Sequence, residues 1–145
     1  MTATPRGSPA GIVFRRLDAD PERRRAARLL PDCGLDDHDS ACVWYGLCDL
    51  TATEDACLAG VAVVRSVGRA TARLCGLAVA AAYRDPSLGR RLVCEVADAL
   101  RASGVEELTA PPAPDRRVAA LLARTGFVPC EQDQTSGAGW SQLPL

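Results

Sequence analysis

The stretch "YRDPSLGRRLV" at 83–93 gathers residue types that suit a phosphate. Arg84 and Arg90 supply guanidinium groups, whose fork of donors matches phosphate oxygens. Gly89 allows close approach of the backbone, and the apolar spacing beyond it predicts a helix that opens within the stretch. The first turn of a helix carries N–H groups without intrahelical acceptors, together with the positive end of the helix dipole. An anion is stabilised there. The same residues also have a plainer use, with Asp85 as an N-cap and Pro86 as the first helical residue. A capping carboxylate would compete with a phosphate for those N–H groups. The Asp-Pro pair recurs at Asp20-Pro21, where no phosphate is expected.

Other reactive residue types are present without the spacing that chemistry needs. His38, the one histidine, lies in "PDCGLDDHDSA" (31–41), where a single loop offers too little geometry for a metal. That segment reads as an exposed acidic loop and a contact for any cationic substrate. The seven cysteines include no C-x-x-C pair, so neither a metal site nor a disulfide framework is expected. Cys42, Cys48, Cys57, Cys75 and Cys94 sit in apolar surroundings and read as small core residues, whereas Cys33 and Cys130 lie nearer turns. The Arg23-Arg24-Arg25 run reads as a solvated helix face, with Asp20 placed to pair with Arg24 one turn on.

The elements that must position these residues follow from the hydrophobic pattern. "GIVFRRL" (11–17) reads as a strand and "DADPERRRAARLL" as a helix capped by Asp20. "ACVWYGLCDL", "ACLAGVAVVR" and "RATARLCGLAVAA" are joined by hairpin-sized turns and predict an antiparallel meander. "SLGRRLVCEVADALRASG" places Leu88, Leu92, Val96 and Leu100 at i, i+4 spacing, with Val93 widening the stripe and Gly104 as the stop. The strand "VEELTA" follows, then a helix capped by Asp115 with Val118, Leu121 and Leu122 on one face, ended by Gly126. "FVPCE" and "WSQLPL" supply two last strands. The order is β-α-β-β-β-α-β-α-β-β, which predicts an α/β (α+β) fold with a mixed sheet flanked by helices. Residues 1–10 read as a disordered tail and 11–145 as one domain.

Composition narrows the function. The chain has 145 residues, 48% hydrophobic and 24% charged, an ordinary globular balance. All 17 basic residues are arginine, yet the net charge is −1 and aromatics are 4%, which disfavours nucleic acid as a partner. No apolar run approaches a membrane span, and "MTATPRGSPAG" has no apolar core of a signal peptide. Those features, with the cysteine usage, point to the cytoplasm.

The larger pattern is more specific. "LAVAAAYRDPSLGRRLV", "RASGVEEL" and "RRVAALLARTGFVPC" together resemble the GNAT superfamily of acyl-CoA-dependent N-acetyltransferases. The resemblance is strongest over 74–130. It implies a GNAT-like fold, acetyl-CoA as co-substrate, no metal, and transfer of an acyl group to the amine of a small molecule or protein. On matching positions, Arg84 opens and Gly89 closes the pyrophosphate loop, with Ser87 in place of the loop's first Gly and Leu88 between them. Arg90 would sit near the pyrophosphate or the nucleotide phosphate. The backbone of Leu77, Ala78 and Val79 matches the strand that pairs with the pantetheine arm and polarises the thioester carbonyl.

Departures from the family pattern fall on the chemistry. Pro86 removes one backbone N–H. Leu122 stands where many members carry a Tyr that protonates the leaving thiolate, and Arg73 where some carry a Glu as general base. Asp49, Glu54, Asp55, His38, Tyr45 and Tyr83 remain as other proton carriers, and the sequence does not choose among them. The resemblance therefore supports an N-acyltransferase, or else a protein of the same fold that binds acyl-CoA or regulates, with a homodimer open to either. Gly89→Glu is expected from sequence to abolish coenzyme A binding with little loss of fold.

Overall fold

In a computed structural model the described residues are 11–30, 42–51, 58–80, 83, 86–110, 116–129 and 141–145. The apolar runs become strands β1 (Ile12–Arg16), β2 (Cys42–Asp49), β3 (Leu58–Ser66), β4 (Thr71–Val79), β5 (Glu107–Ala110), β6 (Val128–Pro129) and β7 (Ser141–Pro144). Helices α1 (Asp20–Arg28), α2 (Pro86–Ala102) and α3 (Arg116–Arg124) fall between them in the order expected from sequence. All strands join one seven-stranded sheet, ordered β1-β2-β3-β4-β5-β7-β6. The first four form the antiparallel meander. β4 and β5 run parallel, because α2 carries the chain back along the sheet between them. β7 then inserts between β5 and β6, antiparallel to both.

Two cores hold these layers together. The α2 stripe of Leu88, Leu92, Val93, Val96 and Leu100 is buried against Ala62, Val64, Leu74, Leu77 and Leu108, with Leu122 of α3 and Phe127 in the same cluster. Burying a Leu or Val side chain is worth roughly 1.5–3 kcal/mol, so this stripe fixes how α2 lies on the sheet. Both later helices end at glycines in the left-handed region, Gly104 at φ +93° and Gly126 at φ +108°, as their positions in the sequence suggest. On the opposite face Ala26 of α1, with Leu17 and Leu30, packs on Trp44, Val61 and Val63.

Several local expectations need correction. Ala19, not Asp20, is the N-cap of α1, so Asp20 and Pro21 occupy its first two positions and Glu22 its third. Ala19 has no capping side chain; instead its N–H donates to Glu22 Oε1 at 3.4 Å, and Glu22 also pairs with Arg15. Asp20 and Arg24 form no ion pair. Arg23 turns back to donate from Nε to the Leu17 carbonyl at 3.2 Å. Cys94 is exposed rather than in the core, because it falls on the face of α2 away from the Leu88–Leu92–Val96 stripe. Cys75 is half-buried, and Cys42 and Cys48 are buried as expected. The expected tail over 1–10, the acidic loop with His38, and Cys33, Cys57, Cys130, Glu54, Asp55, Arg84, Asp85 and Asp115 lie outside the described residues.

Candidate functional site

β4 and β5 part company early. Their pairing covers only Thr71–Arg73 against Glu107–Thr109, although β4 continues to Val79. Just past Arg73 the β3 register slips, from Val63↔Gly76 to Val64↔Leu74, which leaves Cys75 as the extra residue of a β-bulge. A bulge bends its strand and increases the local twist, so β4 changes course where the bulge lies. Among the described residues the β4–β5 ladder ends at Arg73, which leaves a gap in strand pairing beside the rest of β4. The backbone of Leu77, Ala78 and Val79 forms its β4 edge, the Leu77 side chain being buried and those of Ala78 and Val79 half-buried.

The helix mouth lies at the end of the same strand. Pro86 takes the first position of α2, where an N–H would lack an intrahelical acceptor in any case, so its missing donor costs little. The donors of that turn are the backbone N–H groups of Ser87, Leu88 and Gly89. Ser87 and Arg90 are exposed, while the Leu88 side chain points into the core. The first two helices differ at this point. α1 carries Asp20 and Glu22 in its first turn, whereas α2 has no acidic residue there. The positive end of the α2 dipole is left without an acidic side chain of its own among the described residues.

Gly89 has a packing role that its motif position concealed. A Cβ built on it would lie 2.9 Å from Leu121 Cδ2 and 3.5 Å from Val79 Cγ2. Its smallness therefore lets α3 and the end of β4 close on α2. Gly89→Glu would require the Leu121 side-chain end to shift, a change separate from any effect on a ligand.

The side chains proposed as acid and base are placed as follows. Leu122 is buried at 5% exposure in the α2–α3 core, and nothing there donates a proton. Arg73 is exposed on the α1 face of the sheet, since its neighbours Ala72 and Leu74 point into the α2 cluster. It lies in a row that crosses the sheet where the gap begins: Arg65↔Arg73, Arg73↔Thr109 and Thr109↔Gln142. Thr109 is 9% exposed and donates to the Ala72 carbonyl at 3.3 Å, while Gln142 buries an Oε1 that has no hydrogen-bond partner among the described residues. Arg65 and Arg73 thus stand at facing positions across the β3–β4 ladder.

Of the other proton carriers, Tyr45 is buried and stacks on Phe14 with ring centroids 5.4 Å apart, away from the gap. Burial pushes its hydroxyl pKa up, with Arg16 pulling the other way. Asp49 and Tyr83 hold each other, Tyr83 donating to Asp49 Oδ2 at 2.6 Å. Thr51 donates to Asp49 Oδ1 from its hydroxyl at 2.6 Å and its N–H at 2.9 Å. The Thr51 hydroxyl, then Tyr83 and the Thr51 N–H, hold the Asp49 carboxyl below its usual range. At neutral pH it is a carboxylate, and its stabilising contribution fades only as pH falls below the ordinary carboxylate range through the lowered value.

Sequence reasoning missed Arg91, which donates from Nη2 to the Ile12 carbonyl at 2.8 Å and lies 3.6 Å from Glu95. Its i, i+4 spacing to Glu95 was the one local signal. Among the described residues no group of His, Cys, Asp and Glu is placed to hold a metal. No described helix is long and apolar enough to cross a membrane.

The mixed sheet, with β4 and β5 parallel and α2 packed across it, is the α/β arrangement expected from the sequence. The profile of the acetyltransferase (GNAT) family matches residues 13–127, and the chain belongs to that family. Comparison with curated proteins returns no match. Among solved structures, a Bacillus subtilis acetyltransferase in complex with CoA is similar at TM-score 0.71 and 15% identity, covering 92% of this chain and 99% of that one. The Escherichia coli ribosomal-protein-S18-alanine N-acetyltransferase gives TM-score 0.66 at 20% identity, covering 92% and 93%. Neisseria gonorrhoeae N-acetylglutamate synthase, complexed with coenzyme A and N-acetyl-glutamate, gives TM-score 0.69 at 18% identity over 92% of this chain and 35% of that one. These likenesses are of fold.

Proposed function

We propose that residues 11–145 form one acyltransferase domain that transfers an acyl group, most simply acetyl, from coenzyme A to an amine in the cytoplasm. The observation that carries this reading is the coincidence of two features at the end of one strand: the end of the β4–β5 ladder at Arg73 and a first turn of α2 with no acidic residue. The cofactor half fits the residues present. Ser87 and Arg90 are exposed at the helix mouth, and Arg84 joins them in this reading, to hold the pyrophosphate. The pantetheine arm lies along Leu77–Val79, where backbone N–H groups polarise the thioester carbonyl. Two solved relatives of the same fold contain coenzyme A.

In the reaction the amine lone pair forms a bond to the carbonyl carbon, the C–S bond breaks, and the coenzyme A sulfur leaves as thiolate. The nitrogen sheds its proton and the thiolate gains one from solvent. Positioning supplies much of the rate of such a step. A dedicated acid or base adds about 10²–10⁴-fold, so a chain with Leu122 and Arg73 at those places reacts slowly but does react. Arg73 offers a partial substitute. A cation beside the amine favours its neutral, nucleophilic form and lowers its pKa. The buried Gln142 Oε1 is an acceptor for an N–H on the same side of the gap.

Arg73→Met is therefore expected to move the acid limb of the pH–rate profile to higher pH by about one unit, slowing the reaction about tenfold below that limb. Rates measured across pH 6–9 by mass-spectrometric detection of acylated product check this, and an unmoved limb contradicts it. The buried aliphatic Leu122 favours a second reading, in which the chain binds acyl-CoA without turnover. Saturable acetyl-CoA binding with no product across a broad amine panel would select that reading.

A further inference from the structure

Resting on that reading of the helix mouth, we infer that the register pair Ile12↔Asp49 is a platform that positions the phosphate-binding segment for coenzyme A, with Tyr83, Asp49 and Arg91 as its positioning residues. The observation is a bracket. Residues 84–90 carry every side chain proposed for the pyrophosphate, and the residues on either side, Tyr83 and Arg91, both reach the same strand pair. Tyr83 donates to Asp49 of β2 across a sequence separation of 34, and Arg91 donates to the carbonyl of Ile12 in β1, 79 residues away. Ile12 and Asp49 face each other in the β1–β2 ladder. Tyr83 and Arg91 are thus both held at one point of the sheet edge.

Ordinary packing accounts poorly for this arrangement. A carboxylate close to an anion site repels the ligand unless its charge is turned aside. Asp49 is only 9% exposed and receives three donors, two from Thr51 and one from Tyr83, so both of its oxygens are engaged by local donors. The adjacent Leu50 N–H donates to the Gly11 carbonyl at 2.8 Å, which anchors β2 to β1 at the same place. The Ala80 N–H donates to the Ala59 carbonyl and the Tyr83 N–H to the Ala80 carbonyl, each at 2.8 Å, so Tyr83 is fixed relative to β3 as well as to Asp49. Hydrogen bonds to an ionised carboxylate are about twice as strong as neutral ones, which suits a tether that must hold a loop in place without contacting the ligand. Fixing the residues that flank a binding segment lowers the entropy lost on ligand binding, and affinity rises accordingly.

The test compares two ligands in the full chain. Coenzyme A carries the pyrophosphate; S-acetylpantetheine carries the thioester arm without it. Tyr83→Phe is expected to weaken coenzyme A binding about tenfold by calorimetry. Binding of S-acetylpantetheine, followed by NMR titration, should change less than about twofold. Equal weakening of both ligands, or unchanged coenzyme A affinity, overturns the inference. If Tyr83→Phe fails to fold, the same comparison is read in Arg91→Met, which also removes the Nη1 that is buried without a partner. Failure of the unaltered protein to bind coenzyme A would instead overturn the proposed function, so the two failures are distinguishable.

Discussion

Replacing Arg90 with glutamate is expected to weaken coenzyme A binding about 100-fold while leaving the melting temperature unchanged within about 2 °C or slightly raised. A charge-assisted hydrogen bond to phosphate contributes about 1.5–3 kcal/mol, and reversing the charge adds repulsion. At about 1.4 kcal/mol per factor of ten, the loss reaches two decades. Stability should move the other way. Arg90 is exposed and near the N-terminus of α2, where a carboxylate interacts better with the dipole than a guanidinium does. Affinity and stability changing in opposite senses would separate a ligand contact from a folding defect. Gly89→Glu gives a less clean separation, because its Cβ also requires Leu121 Cδ2 to shift. Paired calorimetric and thermal-melting measurements on Arg90→Glu check the expectation. Unchanged affinity would remove Arg90 from the site.

Leu92→Ala should cost about 3 kcal/mol of stability, read as a lower denaturant midpoint at unchanged slope. Leu92 is fully buried at the centre of the α2 stripe, and it lies among Leu88, Val93 and Val96 with the β3 and β4 side chains beneath. Such a loss shifts the folding equilibrium by about 150-fold, a large share of the stability of a domain this size. The consequence for the site is specific. Molecules that remain folded should bind coenzyme A with little change, because Leu92 lies a full turn inside the helix mouth. A loss below about 1 kcal/mol would mean that α2 is not seated on the sheet as described.

How much of this was legible in sequence depends on the range of the interaction. The α2 stripe, the meander and the two glycine stops are written in local spacing, and the structure places each where the pattern puts it. Helix entry was read less well. Ala19 caps α1 because Glu22 reaches back to its N–H, a contact that outweighs the intrinsic preference for Asp20. Cys94 was misassigned because composition around it is apolar, although its helical phase faces solvent. At the site, the family pattern marked Ser87, Gly89 and Arg90, but not that Gly89 is held against Leu121. The Tyr83–Asp49 and Arg91–Ile12 bonds join residues 34 and 79 positions apart. No local pattern encodes them, since only the folded sheet brings the β1–β2 edge beside the start of α2.

The most direct measurement is a calorimetric titration of the unaltered protein with acetyl-CoA. The gap beside β4 and the mouth of α2 together call for saturable binding of one ligand per chain, with a dissociation constant in the micromolar range. Absence of saturable binding at millimolar ligand would contradict the site as a coenzyme A site.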